Sequence, residues 1–195
     1  MRTHLRILSI VTEILLLAVL FMISSVPSFG QRGSRETIDA TAFGTSTQMG
    51  RNFGVKIVIY EFSSPDDREI LVQAFQKGQN DGLTNALEKM RSVGRISIPG
   101  TLGFDLSFIR EIVTPTGRTI RFVTNRKIAF GESYWDSQSK SFNLTAGEIN
   151  INDKDKSKSD GVLFPAAQLI VNKEGELQFE LNQNAWRLTN IIEWD

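Results

Sequence analysis

Cysteine is absent from the sequence, and the only histidine, His4, lies close to the amino terminus. Without cysteine the protein has no disulfides, no thiol redox chemistry and no lipid anchor, since bacterial lipoprotein signals require a cysteine. If His4 is removed by the processing predicted below, Ser-His-Asp and Cys-His catalysis and the common zinc and haem ligands are excluded as well. An enzyme would have to use carboxylates, lysine, tyrosine or serine alone, so we predict that the protein is not an enzyme.

An excess of charge of one sign is also missing, because 22 Lys and Arg residues balance 22 Asp and Glu residues. Domains that bind nucleic acids are usually strongly basic. The glycine-rich segment 94–103 lacks the Gly-Lys-Ser/Thr ending of a P-loop and the βαβ context of a dinucleotide-binding fold. We therefore expect no nucleic-acid partner and no cofactor.

Residues 1–30 have the anatomy of a secretory signal peptide. A basic start precedes an apolar core at residues 14–23, and a polar exit follows. Ser28 and Gly30 are the small residues that a signal peptidase needs, so cleavage is predicted between Gly30 and Gln31. The apolar core is shorter than the roughly 20 residues that cross a bilayer as a helix. We expect export to the periplasm or the extracellular space, and an uncleaved N-terminal anchor is the alternative.

The remainder of the chain predicts a short tail followed by one domain. Residues 31–36 have the polar composition of a flexible N-terminus, and residues 37–195 have the length of a single domain. A helical insertion follows an early strand, because Ser64 and Pro65 are typical of a helix start. Gly78 then divides two amphipathic segments, which together predict a helical hairpin.

Most of the domain predicts short strands separated by turn signals. One strand is predicted from Phe104 to Val113, and a turn at residues 114–117 joins it to the next strand in a hairpin. Other strands are predicted at residues 37–45, 53–62, 95–98, 118–124, 128–135, 142–151, 162–171, 177–181 and 186–194. Short turns favour antiparallel pairing, because parallel strands need long crossovers. The predicted fold class is α+β: a mostly antiparallel meander sheet, open or closed into a barrel, with an inserted helical hairpin.

Three stretches of the chain, Val93–Ile112, Pro165–Ala167 and Asn184–Trp194, resemble a group of secreted bacterial proteins of uncharacterised activity. The resemblance covers most of the chain from about Tyr60 onward. It implies export and a single domain. It transfers no activity, ligand or catalytic residue to this sequence.

Two acidic stretches resemble metal-binding or acid–base sites at first sight. The stretch 153–161 places oxygen ligands at alternate positions, but Lys158 and Phe164 stand where a calcium loop has glycine and glutamate. We interpret it as a solvated loop. Asp66 and Asp67 fall in the first turn of the predicted helix, where acids stabilise the helix N-terminus.

Basic residues concentrate around the predicted hairpin, and Glu111 is the only acid between residues 110 and 127. Such a patch would bind an anionic envelope component or the acidic face of a protein partner. A solvated hairpin face is the alternative interpretation. The members of this predicted basic patch are Arg110, Arg118, Arg121, Arg126 and Lys127.

Four aromatic residues are candidates for a surface on which sugar rings stack, because aromatic rings at a solvent-exposed surface suit that role. They are Tyr134, Trp135, Trp186 and Trp194. At strand spacing, such residues are more often part of a core or its rim.

Three functions remain compatible with the sequence. The leading hypothesis is an exported, non-catalytic binding or structural domain with an unknown partner. The alternative is a barrel-like carrier of a small apolar or amphipathic ligand, with an unfilled interior lined by Phe104, Phe108, Phe122 and Phe164. The third is a hydrolase that uses carboxylates alone, which would need two acids converging in a cleft.

Overall fold

One sheet of ten strands, one α-helical stretch and two short 3-10 helices (Ser46–Gln48 and Lys156–Lys158) are the elements of the described part of the chain, as given by a computed structural model. The structure describes residues 35–126, 142–171, 173, 177–181 and 184–194, which lie within one compact unit, Gly33–Asp195. The elements are β1 (Glu36–Gly44), β2 (Asn52–Ile59), α1 (Pro65–Lys89), β3 (Gly94–Ser97), β4 (Phe104–Leu106), β5 (Phe108–Thr114), β6 (Gly117–Thr124), β7 (Leu144–Asn152), β8 (Asp160–Val171), β9 (Leu177–Leu181) and β10 (Trp186–Trp194). The predicted signal peptide and the predicted strand at 128–135 lie outside the described residues.

The strands follow the order β4-β3-β2-β1-β10-β8-β7-β6-β5, and β9 pairs with the edge of β8 that also carries β10. Every pairing is antiparallel. The two outermost strands, β4 and β5, are separated in sequence only by Ser107, whose amide donates to the carbonyl of Val123 at 3.1 Å. The sheet therefore curls until its edges meet. This confirms the predicted α+β class with a mostly antiparallel, barrel-like sheet.

The single strand predicted from Phe104 to Val113 is wrong, because it is divided at Ser107. Leu106 and Ile109 are both fully buried in the barrel core, so the alternation of side chains slips by one residue between them. Phe108 consequently turns to the outer face of the sheet, where it packs against the helix. The division lets the first half of the segment pair with β3 and the second half with β6.

The barrel interior is filled by side chains that point inward from β1 to β8 and from β10. They form one cluster of buried hydrophobic residues, and burying each large one contributes roughly 2 kcal/mol. Its largest fully buried members are Ile38, Ile57, Ile59, Ile96, Leu106, Ile109, Ile120, Phe122, Ile149 and Leu163. Of the four phenylalanines predicted to line an open interior, Phe122 belongs to this packed core and Phe104 packs against it. Phe108 and Phe164 instead lie on the outer face.

The helix α1 begins at the predicted cap. The Asp67 amide donates to Ser64 Oγ at 3.1 Å and the Ser64 amide donates to Asp67 Oδ2 at 2.8 Å, with Pro65 in the first turn. The predicted division at Gly78 is confirmed: α1 consists of two helical segments that meet at a kink, where the backbone angles of Gly78 and Gln79 are not helical. These two residues alone connect the segments, so we describe both together as α1. Within the described ranges, no helix is long and apolar enough to cross a membrane.

Candidate functional site

A cleft of about 480 Å³ lies between α1 and the outer face of the barrel. Its walls are apolar side chains of the helix and of the strands β5 and β8, and its rim carries a few polar residues. We call it the helix cleft, and it is lined by Arg68, Leu71, Val72, Phe75, Gln76, Gln79, Leu83, Phe108, Leu169 and Val171. Sites for small molecules have this size and this combination of many apolar and few polar groups.

The cleft exists because the apolar stripe of α1 is only partly covered by the sheet. Leu71, Phe75 and Leu83 are buried against the outer face of the barrel in a second hydrophobic cluster. Val72 and Val171, on opposite sides of the cleft, remain 42% and 45% exposed. Apolar surface of this kind gains free energy when a ligand removes it from water, at about 25 cal/mol per Å².

A buried amide fixes the distance between α1 and the sheet. Asn80, which is 8% exposed, accepts a hydrogen bond from the Leu169 amide of β8 at 2.9 Å and donates to Asn143 Oδ1 at 2.8 Å. The hydroxyl of Thr84 lies 3.1 Å from the same Asn143 oxygen. These bonds satisfy polar groups that would otherwise be buried without partners. They anchor the second half of α1 to β8, and the cleft extends along both halves of the helix, from Arg68 to Leu83.

A second groove, of about 460 Å³, runs over the outer face of β6, β7 and β8. We call it the outer groove, and its apolar lining includes Phe108, Val123, Ala146, Val162, Phe164 and Phe179. The rings of Phe164 and Phe179 lie 5.8 Å apart between centroids. Phe108 lines both spaces, so the outer groove adjoins the helix cleft.

An ionic cluster fastens together strands that are distant in sequence. Arg118 of β6 binds Glu111 of β5 at 2.8 Å, Glu36 of β1 at 2.9 Å, and Glu193 of β10. Glu193 also accepts from Lys156 Nζ at 3.1 Å. The side chains of Arg118, Glu36 and Glu193 are only 19%, 16% and 17% exposed. Burial alone would lower the pKa of Arg118, but hydrogen bonds to the glutamates outweigh it and raise that pKa, so the guanidinium stays charged.

This ionic cluster bears on the hydrolase hypothesis. Glu36, Glu111 and Glu193 are three carboxylates that converge, as a hydrolase would require, but they converge on a guanidinium. No acidic residue lines the helix cleft in the described part of the chain. Across those same residues, no group of three acidic or histidine side chains is arranged to hold a metal ion.

The structure places the members of the predicted basic patch on different faces. Arg110 and Arg121 are cross-strand partners on the outer face, and Arg121 is neutralised by Glu148 at 2.6 Å. Arg126 is exposed and contacts Asn125 Oδ1 at 3.3 Å. Arg118 shares the inward face with Ile120 and belongs to the ionic cluster. Lys127 lies outside the described residues, so the patch stays a prediction that depends on Arg110, Arg121 and Arg126.

In the loop at residues 153–161, the candidate calcium site, Asp153 and Asp155 are bonded to other side chains of the same loop. The pKa of Asp155 is lowered by hydrogen bonds from the Ser157 side chain and from Lys158. Lys156 pairs with Asp153 at 3.1 Å. Asp153 and Asp155 thus have partners among the lysines and serines of their own loop.

The aromatic candidates are also dispersed. Trp186 is 3% exposed in the barrel core, with its ring centroid 4.7 Å from that of Phe53. Trp194 is 54% exposed and donates from Nε1 to Asp39 at 2.9 Å. Tyr134 and Trp135 lie outside the described residues. The structure therefore does not bring Trp186 and Trp194 onto a common stacking surface.

Sequence reasoning missed the helix cleft, although two signals for it were present. The apolar stripe of α1 continues through Val72, next to the positions that the sheet buries. The outward positions Phe108, Val123 and Leu169 are apolar where a solvated strand face would be polar. Comparison with known proteins adds no further guide to this site, because no protein-family model, no curated protein and no solved structure matches the chain.

Proposed function

We propose that this protein is an exported, non-catalytic domain that binds a small apolar or amphipathic molecule in the helix cleft. The observation that carries the proposal is the contrast between a barrel interior filled by side chains and an apolar cleft of about 480 Å³ left open beneath α1. Barrels that carry ligands inside need an unfilled interior. Here the helix cleft and the outer groove both lie outside the barrel.

Hydrogen bonds hold α1 in place over the cleft, which favours a preformed binding site over a gap left by incomplete packing. The Asn80 hydrogen bonds hold α1 to the sheet just after its kink, and the capping box of Ser64 and Asp67 orders its N-terminal end. A preformed site spares the ligand the cost of ordering the protein, which otherwise reduces affinity. The absence of acids from the cleft lining, within the described residues, removes the general acid–base groups that a carboxylate hydrolase would need there.

Export is the part of the proposal that rests on sequence alone. The support comes from the basic, apolar and polar zones of residues 1–30 and from the small residues Ser28 and Gly30 before the predicted cut. In the periplasm or outside the cell, a small apolar molecule needs a protein surface to shield it from water. A domain with an apolar cleft fits that need.

The proposal is tested with N-phenyl-1-naphthylamine, a neutral apolar molecule whose fluorescence rises when it leaves water. We expect saturable binding to the purified protein. Val72→Trp should fill the cleft from its rim and weaken the affinity by about tenfold, equivalent to about 1.4 kcal/mol. Val72 is 42% exposed, so the substitution leaves the barrel core intact.

Ile70→Trp is the matched control, because Ile70 is also an exposed apolar residue of α1, at 53%, but does not line the cleft. Its affinity for the probe should equal that of the parent. Circular dichroism melting curves should show that both variants fold. If the two variants bind the probe equally well, the helix cleft is not the binding site and the proposal is wrong.

A further inference from the structure

We infer that the ligand of the helix cleft is a free long-chain fatty acid, with its carboxylate at Arg68 and its acyl chain along the apolar face of α1 toward Leu83. The inference rests on the proposed function and specifies the chemical class of the ligand. Arg68 places a positive charge at the rim of the cleft, and an uncharged apolar ligand would leave that charge without a partner.

Arg68 is the one charged residue that lines the cleft in the described part of the chain. Its guanidinium has no carboxylate within salt-bridge distance among the described residues, while Asp67 beside it is engaged by Ser64. Arg68 also directly follows the first turn of α1, at the end where the helix dipole favours acids and disfavours cations. Helix stability therefore does not account for an arginine at this position.

An anion held at Arg68 would account for it. A guanidinium presents two parallel N–H groups that match the two oxygens of a carboxylate, which gives a strong and directional hydrogen-bonded pair. The same charge repels a cationic ligand. No acidic residue lines the cleft, within the described residues, to compete for Arg68 or to repel an anion.

The apolar walls continue from this charge in the direction that an acyl chain needs. Leu71, Val72 and Phe75 follow Arg68 at three, four and seven positions, so they share its face of the helix. Leu83 and Leu169 line the end of the cleft remote from Arg68, where Asn80 joins α1 to β8. A single long chain can thus lie under α1 with its head at the N-terminal end and its tail between Leu83 and Leu169.

Three ligands of equal chain length but different head groups test this inference: palmitate, 1-hexadecanol and hexadecyltrimethylammonium. Each is used below its micelle concentration to displace N-phenyl-1-naphthylamine from the purified protein. We expect palmitate to bind about tenfold more tightly than the alcohol, because a charge-assisted pair contributes on the order of 1.4 kcal/mol. The cation should bind most weakly. Decanoate should bind more weakly than palmitate, because its chain covers less of the apolar wall.

Arg68→Gln should abolish the preference for palmitate over hexadecanol without changing the affinity for hexadecanol. Arg68→Lys keeps the charge and should retain most of the preference. Lys77→Gln is the matched control, because Lys77 is an exposed cation of the same helix that does not line the cleft. This variant should behave like the parent.

The outcomes separate the inference from the proposed function. If the parent binds palmitate and hexadecanol equally, or if Arg68→Gln keeps the preference, the fatty-acid assignment is overturned while apolar binding in the cleft stands. If Val72→Trp leaves the affinity for the probe and for all three ligands unchanged, the cleft itself is refuted and the assignment falls with it.

Discussion

Gly147 of β7 lies directly opposite Phe122 of β6, and the Phe122 ring occupies the space that a side chain at position 147 would need. Gly147→Ala should therefore push the ring out of its place in the barrel core. Such overpacking costs about 1 to 3 kcal/mol. Urea unfolding should show a lower midpoint with an unchanged slope. Gly78→Ala is the control, because a Cβ there meets no heavy atom within 4 Å, and it should leave the midpoint nearly unchanged.

Arg118 should contribute more to stability than any exposed arginine of the same hairpin. Arg118→Gln leaves Glu36 and Glu193 close together and half-buried without their cation, so the free energy of unfolding should fall by about 2 kcal/mol. Arg121→Gln breaks only the exposed pair with Glu148 and should change it by less than about 1 kcal/mol. Equal effects of the two substitutions would show that the ionic cluster has no special role.

Stability should decline at alkaline pH in a way that depends on Lys156. Hydrogen bonds to Asp153 and, to a smaller extent, to Glu193 raise the pKa of Lys156 above its usual 10.5. The stability that these contacts contribute is therefore complete below pH 10.5 and is lost as the pH rises through the raised pKa. Urea unfolding between pH 9 and 12 should show a smaller decline for Lys156→Gln than for the parent. Identical declines would mean that the Lys156 contacts do not stabilise the fold. Arg118 stays charged throughout this range.

Asn80 should hold the helix to the barrel. Asn80→Ala removes the acceptor of the Leu169 amide and the donor to Asn143, which costs about 2 kcal/mol when such groups stay buried. Hydrogen exchange at the Leu169 amide should accelerate, and the affinity for N-phenyl-1-naphthylamine should fall. Asn85→Ala, at an exposed position of the same helix, should alter neither quantity. Unchanged exchange at Leu169 in Asn80→Ala would argue against this anchoring role.

The mature protein should begin at Gln31 when the full chain is expressed in a bacterium that exports it. Signal peptidase needs the small residues at Ser28 and Gly30, so mass spectrometry of the exported protein should show the loss of residues 1–30. Recovery of intact Met1 in the membrane fraction would instead establish the alternative, an uncleaved anchor. A Gly30→Leu variant should accumulate uncleaved, because a bulky residue blocks the peptidase.

The local parts of the fold were predictable because short-range chemistry determines them. Three such features depend on neighbouring residues alone: the cap at Ser64, the kink at Gly78 and the turn at residues 114–117 between β5 and β6. The division at Ser107 was not predictable. Phe108 is apolar like Leu106 because the start of β5 packs against α1 on its outer side, and alternation carries no information where both faces of a strand are buried.

The helix cleft and the ionic cluster depend on contacts between distant residues, which a single sequence does not reveal. Arg118 appeared to belong to a basic surface because its sequence neighbours are basic, whereas its acidic partners Glu36 and Glu193 lie 82 and 75 residues away. The cleft likewise appears only when α1 is placed against β8. Sequence spacing identified the apolar stripe of the helix but not the extent of its cover by the sheet.

The position of β1 between β2 and β10 has a consequence for the order in which the molecule assembles. One edge of β1 can pair as soon as β2 emerges, but the other must wait for β10, which follows all the other described strands. A chain that emerges N-terminus first therefore presents an open strand edge until β10 has appeared, and such edges invite aggregation. Pairing across so long a loop is also slow. Completion of the barrel is thus a late event, and the newly made chain is most in need of protection just before β10 is in place.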